Sequence, residues 1–383
     1  MAWDAIIGQQ RAKRLVQSAL AARRYPHAWL FTGPEGVGKD AIAIEVAKVL
    51  RCDAPPQPGI ACDSCRSCRT IADLTHANLS FVFALPSGKG EDGRADSPLI
   101  RLSDAEIGLI QDELKKKGID PYHNISIPKA QQIKISSIRQ IRRDISRSAS
   151  EPGVRIVIVS EAQMMREEAA NAFLKTLEEP TSEMLLILTS SAPDTLLPTI
   201  TSRCQEIRFD RLAPEEISSA LIERESVPAE QAGMLAHLSD GSYSRARALI
   251  DSDIHGERQE IVQFLRGVLR RSPIAAHEEI ERLTAGVDRS ELHRMLGLLQ
   301  LWLRDLLILR LTGNVELILN RDQIDDLERF NAKFPSIELK AMIEALERCG
   351  HAVSRNAGPS LALTVLAFDI VSLCYADTTL TTA

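Results

Sequence analysis

The sequence predicts an α/β fold in which helices cover a parallel sheet, followed by regions that are helical throughout. Three observations predict it. Phe31-Thr32-Gly33-Pro34-Glu35-Gly36-Val37-Gly38-Lys39-Asp40 sets a glycine-rich loop between a short apolar strand, Ala28–Phe31, and a helix from Ala41 to Leu50. Two further apolar runs, Val154–Val159 and Met184–Leu188, alternate with helical patterns, and strands separated by helices pair in parallel. Beyond Arg211 the periodicity is that of helices alone.

A chain of 383 residues exceeds one ordinary domain and points to two or three. Its 44% hydrophobic and 26% charged residues are those of a globular chain, and 4% aromatic residues favour helices over a β-sandwich. The net charge of −6 argues against a surface coated for binding nucleic acid unaided, while leaving room for a local basic stripe. Met1-Ala2-Trp3-Asp4 lacks a basic-then-apolar signal pattern and no apolar run reaches the length of a membrane span, so a cytoplasmic setting without membrane contact is expected. Four of the seven cysteines cluster, and Cys204, Cys349 and Cys374 are scattered, which is not a disulfide framework.

In chain order, Ile6-Ile7-Gly8-Gln9 leads into a helix over 10–23 with Leu15, Ala19 and Leu20 on one face, ended by Tyr25-Pro26-His27. Its basic residues read as a solvated face. In the loop that follows, Gly33, Gly36 and Gly38 let backbone N–H groups approach a phosphate, and Lys39 reaches the terminal phosphates. The motif's last position calls for Ser or Thr to hold Mg²⁺, and Asp40 stands there. Its carboxylate is expected to cap the helix N-terminus, but it faces a polyphosphate of the same sign. Two unit charges ~4 Å apart repel by about 4 kcal/mol at a surface-like dielectric. The loop is therefore open to occupation by its own side chain.

Cys52-x₉-Cys62-x₂-Cys65-x₂-Cys68 brings four thiolates together at the spacing of a closed tetrahedral Zn²⁺ site, a structural staple for the proline-bearing loop between 53 and 61. From Pro86 to about Ile133 the pattern loosens, and Ser87–Gly93 reads as a flexible surface loop. Within it a helix begins at the capping box Ser103/Glu106, repeats Ile107, Ile110 and Leu114, and ends at Lys115-Lys116-Lys117-Gly118. The stretch 86–133 reads as an insertion with no assigned function. A basic amphipathic helix over 135–147 turns Ile138, Ile141 and Ile145 inward and Arg139, Arg142, Arg143 and Arg147 outward. The strand after it ends in Ser160-Glu161-Ala162, where a P-loop enzyme places an aspartate for Mg²⁺ and often a glutamate that orients the attacking water. Ser160 occupies the aspartate place, and Glu161 remains. A helix over 167–179 stops at Pro180, and strand 184–188 leads into Thr189-Ser190-Ser191.

Trp3-Asp4 with Ile7-Gly8-Gln9, His27-Ala28-Trp29-Leu30-Phe31, the four cysteines, Ala170–Pro180 and Ser202-Arg203-Cys204 together resemble bacterial clamp-loader subunits, over residues 1 to about 210. The resemblance implies an AAA+ architecture. A RecA-like P-loop core with a zinc module (52–68) would occupy 1–210, a helical lid 211–253, and an all-α collar that joins subunits into a ring 254–383. Membership of the DNA-directed DNA polymerase III holoenzyme is implied, with gamma/tau and delta subunits as partners. The sliding clamp and primer-template DNA would be reached through the complex.

Within that family the departures concern one Mg²⁺–triphosphate site. Motor members carry Lys-Thr or Lys-Ser in the cradle and Asp-Glu-Ala after the strand, where this chain has Lys39-Asp40 and Ser160-Glu161-Ala162. Motor lids place an arginine two residues beyond a Gly-Ser pair, and after Gly241-Ser242 that residue is Ser244, with Arg245 adjacent. Beside an intact Ser202-Arg203-Cys204, these losses resemble a stator member, which hydrolyses nothing and lends an arginine, here Arg203, to a neighbour's ATPase site. Zinc is then structural, Mg²⁺ is not expected in the chain's own site, and ATP binding is left open. Two rivals stand. A gamma/tau-like motor would use Asp40 as a metal ligand in place of the hydroxyl, which carboxylates can do. A stand-alone DNA-binding module would need the aromatic platform that is missing.

Overall fold

The computed structural model describes residues 3–86, 97–100, 102–146, 152–180, 183–287, 289–355 and 357–375. The expected loop Ser87–Gly93, the side chain of Ile145 and Arg147 lie outside the described residues. The chain forms two compact units, Met1–Ser226 with Ser239–Arg247, and Val227–Leu238 with Ala248–Ala383. The stretch 211–253 is shared between them.

The first unit opens with helix α1 (Gln10–Ala21), which buries Ala12, Val16 and Leu20 along one i, i+4 row. Leu15, expected on the inward face, is 56% exposed. Each residue turns the helix by about 100°, so packing through the Val16 row leaves Leu15 outside it. Strand β1 (Ala28–Thr32) is buried along its whole length and feeds the glycine loop, after which come α2 (Lys39–Arg51) and α3 (Arg66–Ala72). Strand β2 (Leu79–Val82) precedes α4 (Asp104–Ile119), whose Ser103/Glu106 capping box is formed in both directions. Then follow α5 (Ile135–Ser146), β3 (Arg155–Val159), α6 (Glu167–Glu178), β4 (Met184–Ser190), the single turn α7 (Pro198–Thr201), β5 (Gln205–Arg208) and α8 (Pro214–Glu225).

The five strands form one parallel sheet in the order β2-β3-β4-β1-β5. The cradle strand β1 is thus interior, and β4 separates it from β3. Val159 pairs with Leu188, and Leu188 with Leu30. Ser160, Thr189 and the loop after Thr32 therefore emerge side by side at the carboxyl edge, where open α/β sheets form ligand crevices. Phe173 of α6 and Ile138 and Ile141 of α5 pack with Val157, Leu186 and Leu188 under that edge. Each fully buried side chain of this size contributes about 1.5–3 kcal/mol, which makes the edge a rigid platform.

The second unit is helical: α9 (Ala229–Leu238) joins α11 (Ile254–Val268), α12 (Pro273–Thr284), α13 (Arg289–Thr312), α14 (Ile324–Lys333), α15 (Leu339–Ser354) and α16 (Pro359–Tyr375), while α10 (Tyr243–Ala248) lies in the first unit up to Arg247. In α13, Leu299, Trp302, Leu303 and Leu306 are buried, as their spacing requires. Asp305, fully buried, accepts bonds from the Leu319 and Asn320 backbone N–H groups and the Asn320 amide, which pins the following loop to the helix. In helix α16, Leu363, Leu366 and Ile370 face the core, and Leu361, Val365 and Phe368 are exposed on another face. No helix among the described residues is long and apolar enough to cross a membrane.

Candidate functional site

The glycine loop is tight and occupied by its own side chains. Gly33, Gly36 and Gly38 have φ of 143°, 72° and 101°, backbone conformations that only glycine adopts without strain. Lys39 is 4% exposed, and its Nζ donates to the Gly33 and Pro34 carbonyls at 2.8 Å each and sits 3.5 Å from a Glu161 carboxylate oxygen. The lysine is thus folded back on the loop it belongs to.

Asp40 does not cap α2. Gly38 holds the N-cap place and no side chain caps there, so Asp40 stands in the first turn and points across to the strand ends instead. Ser160 Oγ donates to Oδ2 at 2.9 Å, Thr189 Oγ1 donates to Oδ1 at 2.9 Å, and the Lys117 ammonium lies 2.8 Å from Oδ2. Burial alone would raise the Asp40 pKa, but Lys117 and the two hydroxyl donors outweigh it and hold the carboxyl below its usual range. The group is an ionised carboxylate with two partners on Oδ2 and one on Oδ1.

Lys117 comes from α4, in the insertion, and is 3% exposed. Its Nζ also donates to the His123 carbonyl at 2.9 Å. Glu113, one turn earlier, organises the segment after α4. It accepts from the Ser126 N–H at 2.9 Å and meets His123 Nε2 at 2.8 Å and Lys116 Nζ at 2.7 Å. Between them Tyr122 is buried over Gly38, and its hydroxyl accepts from the Ile7 N–H at 2.8 Å. Around the whole, a cavity of ≈ 130 Å³ remains, lined by Gly36, Gly38, Lys39, Asp40, Tyr122 and Ser160 among others. That is below the about 300–1,000 Å³ of typical ligand pockets.

Of the sequence-selected residues, Gly36, Gly38, Lys39, Asp40, Ser160 and Glu161 line this one cavity, and Gly33 is joined to it by the Lys39 bond. Glu161 is left-handed at φ 50°, its carboxylate bonded to Gln163 and Ser191. Arg203 lies elsewhere. Trp29 pairs with Gln205, so Arg203, just before β5, sits level with the start of β1, and the cradle follows that strand's end. Its guanidinium is 2.8 Å from Glu178 and donates to the Thr199 carbonyl at 3.0 Å, with its side chain 38% exposed. Ser202 is exposed, whereas Cys204 packs on the core and burial pushes its thiol up to about 12. Arg245 is exposed, and Arg247 instead pairs with Asp120 and Glu225.

The four cysteine sulfurs lie within 4.8 Å of one another, with Cys62 and Cys68 Sγ 4.0 Å apart. A tetrahedral ion with bonds of about 2.3 Å sets sulfur–sulfur edges of about 3.8 Å, so the cluster can hold a metal ion. Backbone N–H groups of Cys62, Cys65 and Cys68 donate to the sulfurs of Cys52, Cys62 and Cys65 at 3.2–3.3 Å. Such donors favour thiolates, and those from Ser64 and Cys65 hold the Cys62 thiol down at about 6. Ser67 Oγ donates to Asp53 at 2.9 Å, closing the loop on α3.

Lys117, Tyr122 and Thr189 are the contributors that motif matching does not find. Lys117 carries a signal of another kind: it continues the Ile110, Leu114 row at i+7, and a lysine on a buried face requires a carboxylate partner.

Two family models match the chain, "DNA polymerase III, delta subunit" over residues 8–213 and "DNA polymerase III, delta subunit, C terminal" over 275–370. The chain belongs to the DNA polymerase III delta-subunit family. It is 28% identical over 324 residues to the subunit delta′ of Bacillus subtilis (strain 168), covering 84% of this chain and 83% of that one. The delta′ of Escherichia coli (strain K12) is 27% identical over 254 residues, 66% and 63% of the two chains. The tau subunit of Bacillus subtilis is 24% identical over 396 residues, which span 97% of this chain and 61% of tau. The family membership makes this a clamp-loader subunit of the delta′ type.

Proposed function

We propose that this delta′-type subunit is a stator: it hydrolyses no ATP itself, helps a DNA polymerase III clamp loader place the sliding clamp on primed DNA, and lends Arg203 to the ATPase site of an adjacent subunit. The observation that carries this is the engagement of Asp40 by residues of its own chain. The position that should offer a hydroxyl to Mg²⁺ offers a carboxylate already bonded to Lys117, Ser160 and Thr189, and the strand-end aspartate is Ser160. The similarity to tau keeps the motor alternative in view, but there Asp40 would first have to give up Lys117 before it reached a metal.

The position of Arg203 favours action in trans. It stands at the far end of β1 from the chain's own cradle, and its resting partners leave it available. An exposed ion pair such as Arg203–Glu178 is worth about 0–1 kcal/mol, so releasing it costs a neighbour's site at most about fivefold. A guanidinium presents parallel donors to phosphate oxygens, which lysine cannot. The four cysteines would hold a structural Zn²⁺ that staples 53–61 to α3. The exposed Leu361, Val365 and Phe368 stripe of α16 supports a packing face for gamma/tau or delta partners in a collar.

The test is twofold. The isolated chain should show no ATP turnover, and Lys39→Ala should change nothing. In a reconstituted complex, Arg203→Ala and Arg203→Lys should both leave assembly intact and silence one site. Arginine fingers in other NTPases are worth about 10³–10⁵ in rate, so the total ATPase should fall by the share that site contributes. A complex with Arg203→Ala that hydrolyses ATP and loads clamps at the unmodified rate would refute the trans role.

A further inference from the structure

The insertion supplies more to the cradle than one lysine. Lys117 meets Asp40 at 2.8 Å, Tyr122 covers Gly38, and Asn124 donates to the Glu35 carboxylate of the loop at 2.7 Å. The same segment reaches the lid residues that belong to this unit. Ser244 Oγ donates to the Tyr122 carbonyl, Asp120 pairs with Arg247, and the Tyr122 and Tyr243 rings meet edge-on at 5.1 Å. The lid in turn touches the loop directly, through the Tyr243 N–H bonded to the Gly36 carbonyl at 3.1 Å. A third arm ties in the N-terminus through Ile7.

We propose that residues 102–126 are a resident substitute for nucleotide: the Lys117 ammonium fills the cation position beside the cradle, and the 120–124 hook braces loop, lid and N-terminus into one fixed arrangement. This rests on the reading of the cradle as a silent site. Its basis is geometric. A ligand-bound cradle needs a cation next to the anion and something that spans loop and lid, and here one helix end and its following hook provide both from within the chain. The pair is charge-balanced, one ammonium to one carboxylate, with a hydroxyl donor on each carboxylate oxygen. Two observations set it apart from ordinary packing. Lys117 is 3% exposed, a burial that lysines adopt only when paired, and its partner is the residue that replaces the metal-binding hydroxyl. The stator geometry would then be independent of nucleotide, set once at folding.

A thermal-melting cycle on the full chain tests this, using Lys117→Met, Asp40→Asn and both together. Each single change leaves a buried charge alone and should lower the melting temperature by about 10 °C. The double change removes both charges and should recover at least half of that loss, a recovery that also holds if either single variant fails to fold. The brace has its own readout: amide exchange at Tyr243 should be at least tenfold faster in the double variant than in the unmodified chain. Additive losses in the cycle, or Tyr243 exchange that does not change, would overturn the proposal. Uptake of a fluorescent ADP with magnesium by the unmodified chain would overturn it as well, whereas ATP turnover that is lost on Lys39→Ala would refute the non-hydrolysing reading it rests on, which keeps the two failures distinct.

Discussion

Glu113 gives the sharpest quantitative handle on the insertion. Its carboxylate is 10% exposed and accepts from the Ser126 N–H, with His123 and Lys116 at its other positions. Burial alone would raise its pKa, but the Lys116, Ser126 and His123 contacts outweigh burial and hold it at about 2 against a usual 4.5. The gap is worth at most about 3.4 kcal/mol at neutral pH. Lys116 is 59% exposed and His123 27%, so solvent screens both, and about 1–2 kcal/mol is the realistic figure. Glu113→Gln should therefore lower the melting temperature by about 2–8 °C at pH 7. A depressed folded pKa gives stability that is present above the unfolded value and lost as pH falls. The difference between variant and parent should thus hold down to about pH 5, shrink by roughly two-fifths by pH 3.5, and vanish towards pH 2. Parallel urea or thermal melts from pH 7 to pH 3.5 measure it. A difference that stays constant over that range would show that Glu113 acts through shape and not charge.

Two further outcomes are expected. Protein purified without chelator should contain one zinc per chain by elemental analysis, and Cys65→Ser should remove it and destabilise the region around α3; absence of metal from the unmodified protein would refute the zinc assignment. Gly36→Ala should lower stability by about 2–3 kcal/mol with no nucleotide present, because its φ of 72° is left-handed and the new Cβ would run into Ser242 Oγ and Ser244; an unchanged melt would refute this.

The strands and helices that position the site were legible where their periodicity was strong. β1, β3 and β4 are runs buried on both faces, and α5 and α13 present regular apolar rows. The two short edge strands were not: β2 offers four residues, Leu-Ser-Phe-Val, and β5 reads Gln-Glu-Ile-Arg with a single buried side chain. Edge strands of this length carry too few side chains for alternation to rise above loop composition. The cysteine cluster was legible because its ligands are close in sequence. The Asp40–Lys117 pair spans 77 positions, so spacing could not reveal it. What sequence did reveal was the half of that pair sitting in a motif, and the half in the insertion passed as a helix end because lysines are common there.

The glycines of a loop that carries Asp40 and looks onto Ser160 have a physical cause of their own. A Cβ at Gly33 would run into the Phe209 carbonyl, one at Gly36 into the lid serine Ser242, and one at Gly38 would come within 2.9 Å of the Tyr122 hydroxyl. Each glycine is thus required by a different part of the same unit: the segment after β5, the lid, and the insertion. A phosphate cradle makes two separable demands on sequence. One is backbone shape and close approach, which this chain still needs in order to pack. The other is metal chemistry, held by the residues at 40 and 160, and it is free to change once no ligand depends on it. The glycines of such a motif therefore report the fold, while the side chains at the metal-binding positions, here Asp40 and Ser160, bear on the activity.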